Sequence, residues 1–477
     1  MKTTMKLMTL ALLALAVTSC AKEYTLTVVP NNADWGTVEG SGNYNDGETA
    51  RIAAYPASGY YFISWQDGDC TNPREVVVTG DATYTAIFSN DPNGGGTGDP
   101  NDPTEIGGTI NQNVTWVDRG LPVDYIVSST IYLEGNALVT VEPGVCIMFA
   151  NNEAGIEVGE NAGLRMIGTQ EKPILLEGPT NNPNAGAWSH ISILSNRSDN
   201  QFEYVHMING GSSNRDDEGV VKVYGTLSMK HCKIDGSLGS GVCMYSDAHL
   251  SAFEYNEILN CAVYPLYTLY VEDLCSASTI STNNSFLNNG SNMICLAGCA
   301  DEDGEDLTFK SMSVPYYTPQ GLHYVGDVTF DAGAHMMVAN NSNLQFDGAF
   351  VAQGTASNPI VFCGTGNNPS WDGIILTTSG ENNVMSHCHI QNAGVGTDWF
   401  NQSCLYIGSE TVVTLNNNVF GASGHYGVTI ENIENWDNVT HSGNSFTDCA
   451  SGNVFLESGG EYNGTQYDAE DVLTNLP

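Results

Sequence analysis

The sequence predicts an all-β protein, most of it a solenoid of short strands coiled over one another. Three observations carry this expectation: an internal duplication, apolar anchors recurring at one-coil intervals, and a small polar residue two positions before each anchor. In the duplication, VTVEPGVCIMFANN (139–152) answers VTFDAGAHMMVANN (328–341), and GTQEKPILLEG (168–178) answers GTASNPIVFCG (354–364). Trp188 then answers Trp371, and the stretch ending HCKI (231–234) answers the one ending HCHI (387–390). The anchors Ile208, Ile234, Ile258 and Phe286 are 26, 24 and 28 residues apart, and Ile390, Phe420 and Phe446 are 30 and 26 apart. That spacing lies within the period of roughly 20–50 residues that marks stacked repeats. The polar residues are His206, Cys232, Asn256, Asn284, Cys388, Asn418 and Asn444. Residues i and i−2 of a strand share a face, so each should point inward beside its anchor, once per coil. An antiparallel β-sandwich, the other reading of these strands, needs no such fixed offset.

The chain opens on a processing signal. Lys2 and Lys6 precede an apolar run at 7–16, shorter than the roughly 20 residues that span a bilayer. The run ends in Val17-Thr18-Ser19-Cys20, which resembles the lipobox of bacterial lipoproteins. The resemblance implies cleavage after residue 19 and acylation of Cys20, so that the mature chain is held to a membrane by lipid. An ordinary secretory signal beside a chance cysteine is the alternative. Export would permit disulfides. Twelve cysteines remain besides Cys20, without a C-x-x-C pair, and Cys295 with Cys299 is one candidate bridge.

Residues 23–89 read as a small β module with strands near 25–29, 49–55, 61–65, 75–78 and 84–88, separated by Gly, Pro, Asn and Asp. Its order is YTLTV, then WGTVEGSGNYNDGETARIAAYPASGYYFISWQDG, then ATYTAIF. This resembles the divergent internalin-type B repeat, a β-grasp-like module of bacterial surface proteins, and implies a spacer or adhesive role. Residues 90–104 (NDPNGGGTGDPNDPT) cannot bury a core and read as a flexible linker. The solenoid is expected over 105–460, followed by a C-terminal tail at 461–477.

An Asn amide can donate and accept along a stacked column, and an inward column of this kind is similar to the asparagine ladder of the right-handed parallel β-helix superfamily. The strings VTVEPGVCIMF and GTQEKPILLEG followed by Trp188 resemble a group of β-helix proteins on Gram-negative surfaces. That resemblance implies a fold and an outer-membrane or cell-surface location, with no reaction attached.

Charge narrows the partners. Fourteen basic and 54 acidic residues give −40, and loss of Lys2 and Lys6 takes the mature chain to −42. Such a surface repels nucleic acid, because each phosphate contact needs a basic group. It also repels a polyuronate. Beyond residue 118 only Arg119, Arg165, Arg197, Arg215 and five lysines are available to neutralise a substrate carboxylate. Arg215-Asp216-Asp217-Glu218 offers adjacent aspartates, as polygalacturonase-type hydrolases do, but Gly424-His425-Tyr426-Gly427 is not their Gly-His-Gly and no Arg-x-Lys follows. No catalytic residue is assigned. His387 and His389 could share an outward face as two metal ligands. In the acidic loop 301–306, Asp301, Asp303 and Asp306 are candidate calcium ligands, against the reading of a solvated loop. Tyr264, Tyr267 and Tyr270 could stack on sugar rings or fill a core. The expectation is a lipid-anchored surface β-helix without a cofactor that binds a glycan or protein, or serves as a scaffold. A polysaccharide lyase or glycoside hydrolase on the same fold is the alternative.

Overall fold

A computed structural model describes residues 22–67, 69, 71–89, 103–276, 278–298, 304–377 and 383–477; Cys20, Cys299, Asp301 and Asp303 lie outside them. The chain is all-β and divides into two units at Glu105.

In the first unit, Glu23–Pro30 pairs in parallel with Ala82–Ser89 at the centre of a four-stranded sheet, flanked by Gly42–Asn45 and Tyr61–Trp65. Gly36–Glu39, Glu48–Pro56 and Arg74–Val78 form a second, antiparallel sheet. Leu26, Val28, Ile52, Trp65, Ala86 and Phe88 are buried together. Position 36 must be glycine, because a Cβ there would lie 2.6 Å from the Phe88 ring and 2.7 Å from the Tyr55 carbonyl oxygen. The short strands Gly36–Glu39 and Gly42–Asn45 were not expected from the sequence; glycine and asparagine dilute their alternation.

The second unit is a right-handed parallel β-helix of about 13 turns. In its N-terminal half each coil has three strands. One coil runs Leu138–Val141, Cys146–Phe149 and Ile156–Val158, and the next opens with Gly163–Ile167 stacked in register on the first. Valine, isoleucine, leucine and phenylalanine at alternate positions fill one continuous interior from Trp116 to Leu476. The two halves are not stacked in phase. Cys146–Phe149 lies on the second face, whereas His335–Val338, its counterpart in the duplication, continues the third-face ladder through Ile294–Leu296 and Tyr316–Thr318. The shift occurs where the helix Val271–Cys275 interrupts the coil and the first-face ladder dwindles to a single bridge, Phe253 to Ile280.

Two polar columns run through the interior. Asn256 Oδ1 accepts from the Cys232 N–H at 3.0 Å, and its Nδ2 donates to the Met229 carbonyl at 2.9 Å. The Asn256 N–H donates to Asn284 Oδ1, whose own amide donates to the Phe253 carbonyl. In the C-terminal half the same pattern links Cys388, Asn418 and Asn444. Asn256, Asn284 and Asn418 are buried, and Asn444 is half-buried near the end of the stack. The residue before most column positions turns the chain with positive φ, as Tyr204, His231, Tyr255, His387, Asn417 and Gly443 do, the position before Asn284 being the exception. That conformation costs a non-glycine side chain roughly 1–2 kcal/mol. Ring stacking offsets part of this cost outside the turn, with His231 between Tyr204 and Tyr255 at 4.7 and 4.9 Å.

His206 does not join the column. In Val205–Gly210 the buried side chains are Val205 and Met207, with Gly210 buried at the strand end, and Met207 pairs with Ile234. The anchor is therefore Met207 rather than Ile208, and Val205 holds the position that Cys232 takes one coil later. His206 faces outward, half-buried, where burial and then the charge of Lys233 lower its pKa. Asn200, Asn289 and Asn383 make equivalent bonds at other turns, with Leu164, Cys261 and Phe350 N–H as donors.

The last residues are a folded cap rather than a loose tail. Val472–Leu473 pairs antiparallel with Gly452–Ser458, and the Pro477 carbonyl accepts from the Trp436 indole at 3.2 Å. This covers the end of an array whose apolar interior would otherwise meet water.

Candidate functional site

Inward residues build the coil interior, so any site lies on an outward row or in a loop covering one. The third-face row of the N-terminal half passes through Lys222, Cys243, Tyr267, Cys295 and Tyr317. It is closed. Cys243, Tyr267 and Cys295 are buried beneath Tyr245, Tyr264, Leu269 and Ala297. The segment carrying Asp216 and Asp217 is fastened over them: Ser240 donates to the Asp216 carbonyl at 2.7 Å and Tyr245 to the Asp217 carbonyl at 2.5 Å. Lys222 pairs with Glu218, and Arg215 with Asp217 at 2.7 Å. The adjacent aspartates are thus an anchored flap, with Asp217 held below its ordinary pKa by Arg215. Burial raises the Cys295 thiol to about 12 and lowers His190 to about 4, so both are neutral near pH 7. Tyr264 and Tyr267 fill this cluster, and Tyr270 precedes the helix Val271–Cys275 half-buried.

The other candidate ligands are dispersed. His387 has φ of 49°, so the strand alternation breaks between it and His389 and the two do not share a strand face. Asp306 is exposed. Among the described residues no group of three or more His, Cys, Asp or Glu could hold a metal ion.

A second face, covered along its outward row but carrying exposed rings above it, lies in the C-terminal half, on the ladder formed by Gly373–Leu376, Ser403–Ile407, Tyr426–Asn432 and Gly452–Ser458. Its outward row is Ile375, Tyr406, Thr429 and Phe455. Between two coils an insertion rises over the row and ends in the 3-10 turn Trp399–Asn401, closed by the Gly396 N–H on the Asn401 carbonyl at 2.9 Å. The turn presents Trp399 and Phe400, 45% and 41% exposed. Trp399 stacks on Phe455 at 5.2 Å, Phe455 on Tyr426 at 4.6 Å, and Phe400 meets Tyr406 edge-on at 6.4 Å. The result is an aromatic cluster whose surface is made by Trp399 and Phe400 over the buried rings of Tyr406 and Phe455.

Carboxylates border it. The Tyr406 hydroxyl donates to Glu457 Oε2 at 3.2 Å, and the Ser409 N–H donates to Glu431 Oε2 at 2.5 Å. The register sets Glu431 beside Glu457 on neighbouring strands, about 4.8 Å apart along the ladder. Burial, and then the charge of Glu431, raise the pKa of Glu457. The Thr429 hydroxyl between Tyr406 and Phe455 is buried with no hydrogen-bond partner. His425 and Tyr426, from the stretch that departs from Gly-His-Gly, lie at the edge of this surface. The patch can stack on flat apolar faces and accept hydrogen bonds from hydroxyl groups. The sequence reading missed it because the aromatics come from separate coils and from an insertion.

The comparisons with known proteins agree with this architecture. Residues 24–92 match the model of the divergent InlB B-repeat domain, and residues 108–231 match that of the pectate-lyase-like β-helix domain. No curated protein and no solved structure matches the chain at a significant level. The aromatic surface lies outside both matched stretches, so neither match assigns it a chemistry. The chain thus carries a stretch similar to a divergent InlB B-repeat, followed by one similar to a pectate-lyase-like β-helix domain.

Proposed function

We propose that the protein is an exported, lipid-anchored surface protein whose β-helix binds a neutral glycan on the face around Trp399 and Phe400, without catalysis. The observation that carries this reading is two exposed rings held on a braced turn beside the carboxylates of Glu431 and Glu457. Pyranose rings present apolar faces to such aromatics and hydroxyls to such acceptors. The overall charge of −40 disfavours polyanionic chains. The B-repeat serves as the spacer between anchor and β-helix.

A hydrolase reading draws on the same two glutamates. Hydrolysis requires carboxyl groups flanking the scissile bond. Glu431 and Glu457 are neighbours in one ladder, an arrangement that suits acceptors lining one wall of a binding surface. The purified chain without its signal is expected to bind neutral oligosaccharides on a glycan array. Trp399→Ala and Phe400→Ala should each weaken that binding by roughly fivefold, since a ring contact contributes about 1 kcal/mol, while leaving the melting curve unchanged. Oligosaccharide release that stops on Glu431→Gln or Glu457→Gln would replace binding by hydrolysis. Binding that survives both aromatic changes would remove the site.

The anchor has its own test. Cys20→Ala is expected to abolish lipid labelling and move the protein from the membrane fraction to the soluble fraction. Retention in the membrane fraction would show that something else holds it. Among the described residues no helix is long and apolar enough to cross a membrane.

A further inference from the structure

The third-face ladder continues through the C-terminal half, and its outward row changes character there. In His335–Val338 the buried residues are Met336 and Val338, so His335 and Met337 face outward. In Ile360–Gly364 the buried residues are Ile360, Phe362 and Gly364, so Val361 and Cys363 face outward. The parallel register sets Met337 directly beside Cys363. His335 lies two residues before Met337, and its Nε2 reaches diagonally to within 3.2 Å of Cys363 Sγ. One imidazole, one thioether and one thiol therefore converge on a patch two strands wide.

All three side chains are half-buried, which leaves them reachable from solvent yet held by their neighbours. Tyr317 flanks Met337 on the preceding coil, and Gln391 flanks Cys363 on the following one. His389 follows His335 and Val361 in the adjoining outward row. No carboxylate occupies these row positions. Cys363 differs from Cys243 and Cys295 in the same ladder, which lie sealed beneath the tyrosine cluster.

We propose that His335, Met337 and Cys363 form a binding site for a soft monovalent metal ion, Cu(I). Thiolate and thioether sulfur with imidazole select Cu(I), whereas calcium and magnesium require oxygen ligands. Zinc sites draw on thiolate, imidazole and carboxylate and make little use of a methionine sulfur. Binding replaces the Cys363 S–H bond with an S–Cu bond and releases one proton to solvent, with no change of oxidation state. His335 binds through its neutral form, with Nε2 already directed at Cys363 Sγ. The β-helix supplies the geometry, since the strand register sets the sulfur spacing before metal arrives.

The test is an anaerobic titration of the purified full chain with Cu(I) against a chromophoric chelator. It is paired with mass-spectrometric mapping of iodoacetamide labelling. One Cu(I) per chain is expected to resist the chelator and to protect Cys363 from alkylation. Cys363→Ser should weaken binding at least about a hundredfold, and the volume-conserving Met337→Leu roughly tenfold. Unchanged copper affinity in Cys363→Ser, or protection confined to other cysteines, would overturn the site. So would failure of the native chain to hold Cu(I) against the chelator. The circular dichroism of Met337→Leu should match that of the native chain, so a loss of affinity there reports a lost ligand.

Discussion

Replacing Asn418 by leucine is expected to open the coils on either side of it while the rest of the solenoid stays folded. Asn418 Oδ1 accepts from the Cys388 N–H at 2.9 Å, and its Nδ2 donates to the Met385 carbonyl at 2.9 Å. Its Nδ2 and its own N–H both reach Asn444 Oδ1, at 3.1 and 3.0 Å. Leucine keeps the volume but pairs with neither backbone group. The position is fully buried, so water cannot substitute. Each stranded group costs roughly 1–3 kcal/mol, and two are stranded. Because a coil touches only its neighbours, the damage should remain local. Native-state hydrogen exchange should accelerate in Asn383–Ser386, Cys388–Gln391 and Val413–Asn416, and stay unchanged in Leu138–Val141. Uniform acceleration would mean that the solenoid unfolds as one unit. Unchanged exchange would mean that the column contributes nothing to stability.

The asparagine columns were legible because they combine two periodicities, alternation along a strand and recurrence once per coil. The same logic failed at His206, where Met207 and Ile208 are both apolar and either could anchor the strand. Only the pairing of Met207 with Ile234 decides between them. The phase shift between halves was not legible at all. Sequence similarity relates 139–152 to 328–341 as equivalent segments, but it carries no record of which face each segment stacks upon. The aromatic surface and the His335–Cys363 contact were missed for a related reason. Glu431 and Glu457 are 26 residues apart and His335 and Cys363 are 28, both within the range of coil lengths. Searching that interval for chemically matched outward residues would have brought each pair together. Trp399 and Phe400 would still have escaped, because an insertion between coils obeys neither period.

Duplication makes a stronger prediction about the interior. Trp188 and Trp371 are both fully buried, and each indole N–H donates at 2.8 Å to the carbonyl of the residue twenty positions on, Ile208 and Gln391 respectively. A glycine makes room in each case: a Cβ on Gly210 would lie 2.7 Å from the Trp188 ring, and one on Gly364 would lie 3.0 Å from that of Trp371. Removing either ring leaves a large cavity and an unpaired carbonyl, so Trp188→Ala and Trp371→Ala should each cost about 3–5 kcal/mol. The two losses should not be equal. Trp188 stacks on Phe149 at 4.5 Å, while the duplication places Val338 opposite that position in the second half. The extra ring contact adds about 0.5–1.5 kcal/mol, which makes Trp188→Ala the more damaging change. The tryptophans share no partner, so their effects should add within about 0.5 kcal/mol in the double variant. Denaturant unfolding monitored alongside hydrogen exchange should then show two separate weakened regions, one per half. A double variant no worse than Trp188→Ala alone would mean that losing one half already unfolds the other, and the solenoid would behave as a single cooperative unit.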